Sequence, residues 1–313
     1  MRVLVTGAAG FIGSHLCEAL LARGDVVVGL DNFDPLYDRR EKVANLQAIA
    51  HARFTFVEAS IHDGTALDHA LIGCDAVFHL AARAGVRRSF LDVDGYASTN
   101  VSGTADLLSA AERARVQRIV FASSSSVYGN RAPPFREDNA LGTPCSPYAR
   151  TKQEAEQLCH AHHVATGVHL SCVRLFSIYG PRLRPDLAIR IFLQRITGGE
   201  PIDLFGTSSM RDYTYVGDAV DGLLRALDRS RGFGIYNIGS ARPISLDDLV
   251  STMERILGVR AKKRRRPAQP GDVPATIADL SRARAELGFA PRMALERGLA
   301  TTARWLTHGT HAT

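Results

Sequence analysis

The chain has 313 residues, 45% of them hydrophobic, enough to bury a large core. A formal net charge of +6 and a pI of about 9.2 favour anionic partners only mildly. No apolar run is long enough to span a bilayer, the N-terminus lacks a basic stretch followed by a cleavable apolar one, and the five cysteines stand far apart, so reduced thiols in a cytoplasmic protein are expected.

In chain order, residues 2–6 form a short β-branched run, the pattern of a buried parallel strand. It enters Gly7-Ala-Ala-Gly10-Phe-Ile-Gly13, and a helical pattern over 14–23 follows, closed by Gly24. Strand, glycine turn and helix are the setting a dinucleotide fingerprint requires, although the spacing is G-x-x-G-x-x-G. Gly7 permits the tight turn, Gly10 lets backbone approach a pyrophosphate, and Gly13 lets helix and strand pack closely. The second strand, 25–30, ends at Asp31, whose carboxylate suits ribose hydroxyls and repels a 2′-phosphate, favouring NAD over NADP.

Strands over 53–57 and 75–80 flank a helix near 65–72, and a helix over 96–114 precedes a strand over 118–122. The alternation predicts an α/β fold, a Rossmann-type doubly wound parallel sheet with ligands at the strands' carboxyl ends. His79-Leu80-Ala81-Ala82 lies at one such end, and Ser123-Ser124-Ser125-Ser126 at another, too polar for a core. A helix over 148–166 and a strand over 168–175 follow. Further on come a helix near 186–198, a strand over 202–204, a helix over 216–228 and a strand over 234–238. The expected division is a cofactor domain over 1–176, rejoined by 212–241, and a smaller, mainly substrate-binding domain over 177–313 with the cleft between them.

Tyr148-Ala-Arg-Thr-Lys152 opens the 148–166 helix behind the start signal Ser146-Pro147. Positions i and i+4 share a face, so phenol and ammonium can meet. A free tyrosine titrates near pH ~10. A neighbouring cation lowers that value and makes the phenol a usable general base or acid. The basic run Lys262-Lys-Arg-Arg-Arg266 reads as a solvated loop, and no aromatic residues interleave with it as a nucleic-acid surface would require. His160, His162 and His163 do not share one helix face, so no metal site is expected. The tail after Trp305 reads as frayed.

With these residues assembled, the chain resembles the extended short-chain dehydrogenase/reductases, in order and almost to Trp305. Asp31-Asn-Phe-Asp-Pro35, Ala84-Gly-Val-Arg87, Tyr179-Gly-Pro181 with Arg184-Pro-Asp-Leu-Ala188, and Gln269-Pro-Gly-Asp-Val273 resemble the UDP-glucuronate 4-epimerase branch. The resemblance implies Tyr148 as catalytic base, Lys152 as its partner on the nicotinamide ribose, and Ser124 as the hydroxyl sharing the substrate proton. It places NAD against Gly7, Gly10, Phe11, Ile12, Gly13, Asp31 and Asn32, with Ser60, Ile61, Leu80, Ala81 and Ala82 beside it. It assigns Ser125, Ser126 and Ser177 to the sugar's C6 group and Arg184 to the uronate charge. Arg211 and Asp272 fall to the diphosphate and uridine ribose, and Arg87 to the substrate cleft. The implied reaction is transient oxidation at C4 of a UDP-uronic acid, with hydride returned to the opposite face. The implied assembly is a homodimer paired through the helices near 96–114 and 148–166; neither nucleic acid nor membrane is a partner.

Two departures stand out. Ser60 replaces an aspartate that often meets adenine, and Arg182-Leu183 replaces a Trp-Gly in the loop that borders the sugar. The alternatives are a UDP-glucose 4-epimerase and a non-catalytic dinucleotide-sensing protein on the same fold. The latter is disfavoured by the retained tyrosine–lysine pair. A dehydratase would need an acid beside the serine run, and Ser123–Ser126 offers none.

Overall fold

The computed structural model describes residues 1–206 and 209–309. Strand β1 (Arg2–Thr6) leads into α1 (Phe11–Arg23), which starts three residues earlier than its apolar pattern implies because Gly10 adopts an extended N-cap conformation and the glycine turn merges with the first helical turn. Gly24 closes α1 at φ 100°, its N–H reaching the Leu20 and Leu21 carbonyls, as a left-handed glycine cap does. Then come β2 (Val26–Asp31) and α2 (Arg39–Gln47). The sequence reading assigns no helix to 39–47, since its buried face is the polar pair Lys42 and Asn45 rather than an apolar stripe.

The chain continues through β3 (Phe54–Glu58), α3 (Gly64–Ala70) and β4 (Ala76–His79). The single helix expected over 96–114 is broken. A short α4 (Val86–Ser89) and α5 (Val93–Ala97) lead into a π-helical turn, Ser98–Ser102, before α6 (Gly103–Arg113). That widened turn buries Asn100. Its side chain holds the Arg83 N–H and carbonyl and bonds Thr151 Oγ1 at 3.0 Å.

Strand β5 (Arg118–Ser124) ends in a 3₁₀ turn, Ser125–Tyr128, followed by α7 (Pro147–Thr166) and β6 (His169–Leu175). Ser146 caps α7 through the Ala149 N–H, with Pro147 in the first turn. The second half runs β7 (Ser177–Tyr179), α8 (Ala188–Thr197), β8 (Pro201–Phe205), β9 (Met210–Tyr215), α9 (Val216–Arg229), β10 (Phe233–Ile238), β11 (Pro243–Ser245), α10 (Leu246–Leu257), β12 (Lys262–Arg266), α11 (Ser281–Leu287) and α12 (Leu295–Gly309).

Among the described residues, seven strands pair in parallel in the order β10-β6-β5-β4-β1-β2-β3. The order reverses between β1 and β4, so the crevice lies over the carboxyl ends of those strands. One core, with Val5, Leu16, Leu20, Phe78 and Leu223, fills the face under α1 and α9. The other, with Leu4, Val77, Leu107, Phe121 and Ala155, lies under α6 and α7. Burial on both faces is why the strands read as continuous apolar runs, each fully buried leucine contributing about 1.5–3 kcal/mol. After Leu175 the chain leaves this sheet. Strands β7, β9 and β11 form a second sheet, β8 and β12 a third, and β10 returns beside β6. The smaller lobe packs around Tyr179, Leu193, Leu204, Leu249 and Leu299, and Phe11 of α1 belongs to that cluster.

Two further expectations are corrected. Lys262–Arg266 is a strand paired with β8 rather than a loop. Its residues are all exposed, so no apolar alternation announces it, and Arg264 and Arg266 bond Asp203, Lys263 bonds Glu254 and Arg265 bonds Asp247. Helix α12 continues past Trp305 to Gly309, where fraying is expected; the remainder of that expected tail, 310–313, lies outside the described residues.

Candidate active site

A cleft of about 730 Å³ runs along the sheet's carboxyl edge between the two lobes. At one end the glycine turn meets α1. Gly7 takes φ 71°, and a Cβ on Gly13 would stand 2.1 Å from the Gly7 carbonyl oxygen, so only glycine lets the helix sit on the turn. The N-terminus of α1 carries no side-chain cap and no acidic residue in its first turn. Its unpaired N–H groups and partial positive charge face the cleft, a seat for a diphosphate.

Asp31 closes the far side of this end. It is 7% exposed, accepts from the Ala9 and Phe33 N–H groups at 3.2 and 2.8 Å, and lies 3.8 Å from Lys42 Nζ. Burial pushes its carboxyl up, while Lys42 and the two amides oppose the shift. Asn32, Ser60, Ile61, Leu80, Ala81 and Ala82 line the same end. The Ser60 hydroxyl oxygen accepts the His62 N–H at 3.2 Å, leaving its own proton to donate. The glycine turn, the uncapped helix and a ribose-side carboxylate together fit a dinucleotide.

The sequence reading missed three residues here. Lys42 approaches Asp31, Asn45 Nδ2 pins the turn through the Ala9 carbonyl at 3.0 Å, and Tyr37 places a buried hydroxyl with no partner among the described residues. An i, i+3 polar pair following an acid at a strand end is the one sequence signal that points to Lys42 and Asn45.

In the middle of the cleft Tyr148 meets Ser124. Ser124 Oγ accepts the Ser126 N–H and hydroxyl at 3.2 and 3.0 Å, which leaves its proton for the phenol. Burial pushes the Tyr148 phenol up, opposed by the Ser124 hydrogen bond and then by the Arg184 charge. Lys152, the expected partner of the phenol, lines the same cleft. Lys152 Nζ donates to the Ala122 carbonyl at 2.8 Å and sits 4.6 Å over the Phe121 ring, with burial lowering it to about 8. Arg184 lines the cleft as well, and its positive charge favours the ionised phenol. The Ser123 hydroxyl donates to Glu156, which is buried against Arg174 at 2.9 and 2.7 Å.

Beyond Tyr148, Ser125, Ser126, Ser177 and Arg184 line one wall. Among the described residues the Ser125 and Ser177 hydroxyls have no protein partner. Arg184 is 15% exposed, lines the cleft, and pairs with Asp186 at 3.0 and 3.1 Å through Nε and Nη2. At the mouth, Arg211 hangs from the Met210 and Pro274 carbonyls. Burial and the nearby Arg87 charge lower it, with Tyr213 and Asp272 opposing. Arg87 lies outside the lining, at the rim, 3.6 Å from Asp272 and stacked 4.7 Å from the Phe205 ring centre. Two guanidinium groups around one carboxylate make a receptor for a second anion.

Comparison with known proteins gives a consistent picture. Residues 3–239 match the model of the NAD dependent epimerase/dehydratase family. The chain is 39% identical to a UDP-glucuronate 4-epimerase of Thermodesulfobacterium geofontis over 96% of this chain and 95% of that protein. It is similar to the crystal structure of a Bacillus cereus UDP-glucuronic acid 4-epimerase in complex with UDP-glucuronic acid and NAD, with a TM-score of 0.94, 36% identity, and coverage of 98% and 99%. A Thermotoga maritima UDP-glucose 4-epimerase with UDP-glucose matches with a TM-score of 0.91, 30% identity, and coverage of 99% and 100%.

Proposed function

Since the chain belongs to the NAD-dependent epimerase/dehydratase family, we propose that it is an NAD-dependent UDP-uronic acid 4-epimerase, interconverting UDP-glucuronate and UDP-galacturonate, and that it works in the cytoplasm as a homodimer paired through the helices near 96–114 and 148–166. The observation that carries this reading is the placement of the Tyr148 phenol, the Ser124 hydroxyl and the Arg184 guanidinium in one cleft with an uncapped helix N-terminus. Residues 1–176, with 212–241, serve the cofactor, and 177–313 mainly the UDP-sugar.

NAD, when bound, supplies the acceptor and later the donor of the C4 hydride. Gly7, Gly10, Phe11, Ile12 and Gly13 hold its diphosphate on α1. Asp31 and Asn32 take a ribose, Ser60, Ile61, Leu80, Ala81 and Ala82 flank it, and Lys152 holds the second ribose. Tyr148 removes the proton from the sugar's C4 hydroxyl and gives it back, with Ser124 sharing that proton. Arg211, Asp272 and Arg87 anchor the diphosphate and the uridine ribose, so the sugar ring can turn about a fixed tether.

A 4-keto uronate is a β-keto acid and loses CO₂ once its carboxylate bond aligns with the ketone. Ser125, Ser126, Ser177 and Arg184 hold the carboxylate out of that alignment by charge-assisted hydrogen bonds. One observation favours a second reading, UDP-glucose 4-epimerisation: Asp186 already neutralises Arg184, so the wall does not demand an anionic substrate. Incubating the protein with UDP-glucuronate and with UDP-glucose, and following each sugar by NMR, separates the two. Inversion at C4 of the uronate is expected. Turnover of the neutral hexose alone selects the second reading, and turnover of neither overturns both.

A further inference from the structure

Helix α1 touches both ends of the reaction. Its N-terminus faces the cofactor end of the cleft, and farther along its length it fastens the loop 180–187 that bears Arg184. His15 Nε2 lies 3.0 Å from the Pro181 carbonyl oxygen. Glu18 accepts two hydrogen bonds from Arg182, at 3.0 and 2.7 Å. Leu183 is fully buried, and its carbonyl accepts from Arg190 Nη1 at 2.8 Å while Arg190 pairs with Glu41 of α2 at 2.7 and 2.9 Å. Three successive residues ahead of Arg184 are thus tied to α1, or through Arg190 to α2.

Arg182 is also held at φ 63°, a left-handed conformation that a residue with a side chain keeps only when its surroundings fix it. Its side chain is 15% exposed against 37% for Glu18, so the cation is the more enclosed partner. The bidentate geometry fixes direction as well as distance.

We propose that the Glu18–Arg182 pair is a positioning, specificity-determining element that sets Arg184 at a fixed distance from the cofactor turn, so that an anionic C6 group is held in register with Tyr148. The inference rests on the reading of the site as a UDP-uronate epimerase. A carboxylate bound by a guanidinium depends steeply on placement, and a shift near 1 Å in a positioning contact is enough to lose much of the effect. A neutral hexose makes no ionic bond to Arg184, so releasing the loop weakens the uronate selectively. The diphosphate, the uridine and the C4 chemistry are common to both sugars.

The test uses the full chain loaded with NAD. Glu18→Gln removes the charge, and Arg182→Gly removes it while relieving the left-handed backbone. The pair Glu18→Arg with Arg182→Glu restores the bridge in reverse. Each is assayed for KM and kcat on UDP-glucuronate and, with UDP-glucose as substrate or competing ligand, for affinity toward the neutral sugar; thermal melts check folding. The single variants are expected to raise the uronate KM roughly tenfold with little change in kcat or in UDP-glucose affinity, and the reversed pair to recover most of the loss. Equal weakening toward both sugars, or no change, overturns the inference. A wild-type protein that leaves UDP-glucuronate unconverted instead overturns the reading beneath it.

Discussion

The Tyr148 phenol sits above its ordinary value in the protein alone, because burial outweighs the Ser124 hydrogen bond and the Arg184 charge. Since Ser124 holds the phenol down, Ser124→Ala should move the acid limb of the kcat–pH profile to higher pH, and a limb that stays put removes Ser124 from the proton path. Tyr148→Phe should keep nucleotide binding, measured by calorimetry, while lowering turnover about 10²–10⁴-fold. His79 gives a stability prediction. It lies between Thr6 Oγ1 at 2.8 Å and Thr104 Oγ1 at 3.0 Å, and burial, then Lys152, lowers it from 6.5 to about 3. The unfolded chain therefore binds a proton the folded one refuses between those values. Stability from this group is complete above about pH 6.5 and falls by up to ~1.4 kcal/mol per unit below it. Urea unfolding of His79→Gln should show lower stability near neutral pH but a flatter decline toward pH ~5, and parallel declines would count against the buried neutral imidazole. Tyr148, Ser124 and Asp31 were legible because chemistry and strand-end position coincide in the sequence. The influence of Arg184 on the phenol was not, since the two lie far apart in the chain and only folding brings their charges together.

At the scale of the element, the strand–turn–helix unit was readable because glycine spacing is a backbone requirement rather than a tertiary accident. Its rigidity yields a sharp expectation. In Gly13→Ala the added Cβ meets the Gly7 oxygen at 2.1 Å, so either α1 or the turn must shift. We expect a destabilisation of about 1–3 kcal/mol and loss of NAD binding by fluorescence quenching, whereas unchanged affinity would show that the turn is not the cofactor seat. Elements with polar buried faces were harder to read. Helix α2 buries Lys42 and Asn45, and α7 buries Lys152 and Glu156, because these faces meet the cleft or another charge rather than a hydrocarbon core. The strand β12 was invisible for the opposite reason, having no buried residue at all. The Glu156–Arg174 pair ties α7 to β6 beneath the serine run, with Arg174 2% and Glu156 6% exposed at the side chain. Glu156→Ala leaves a buried guanidinium uncompensated and should cost about 3–5 kcal/mol, while Glu156→Leu with Arg174→Met should cost much less. Equal losses in the single and double variants would mean that packing, not charge, dominates there.

Across the whole molecule, the doubly wound parallel sheet was readable from its alternating elements, with the return of β10 among them, whereas the strand order is set by tertiary pairing. The packing of the second lobe was not readable, since its strands are short and pair out of sequence, β7 with β9 and β8 with β12. The two lobes are also not independent bodies. Phe11, in the first turn of the cofactor helix, is 6% exposed within the smaller lobe's core, and Arg182–Glu18 and Arg190–Glu41 cross between them. Unfolding the smaller lobe alone would strip Phe11 of its cover and leave Glu18 and Glu41 without Arg182 and Arg190. Calorimetry should therefore show one cooperative transition, and NAD at about 100 times its dissociation constant should raise stability by ~2.7 kcal/mol while keeping that transition single. Two resolved transitions, with only the earlier or the later moving on addition of NAD, would mean that the lobes fold separately and that α1 does not bind them into one unit.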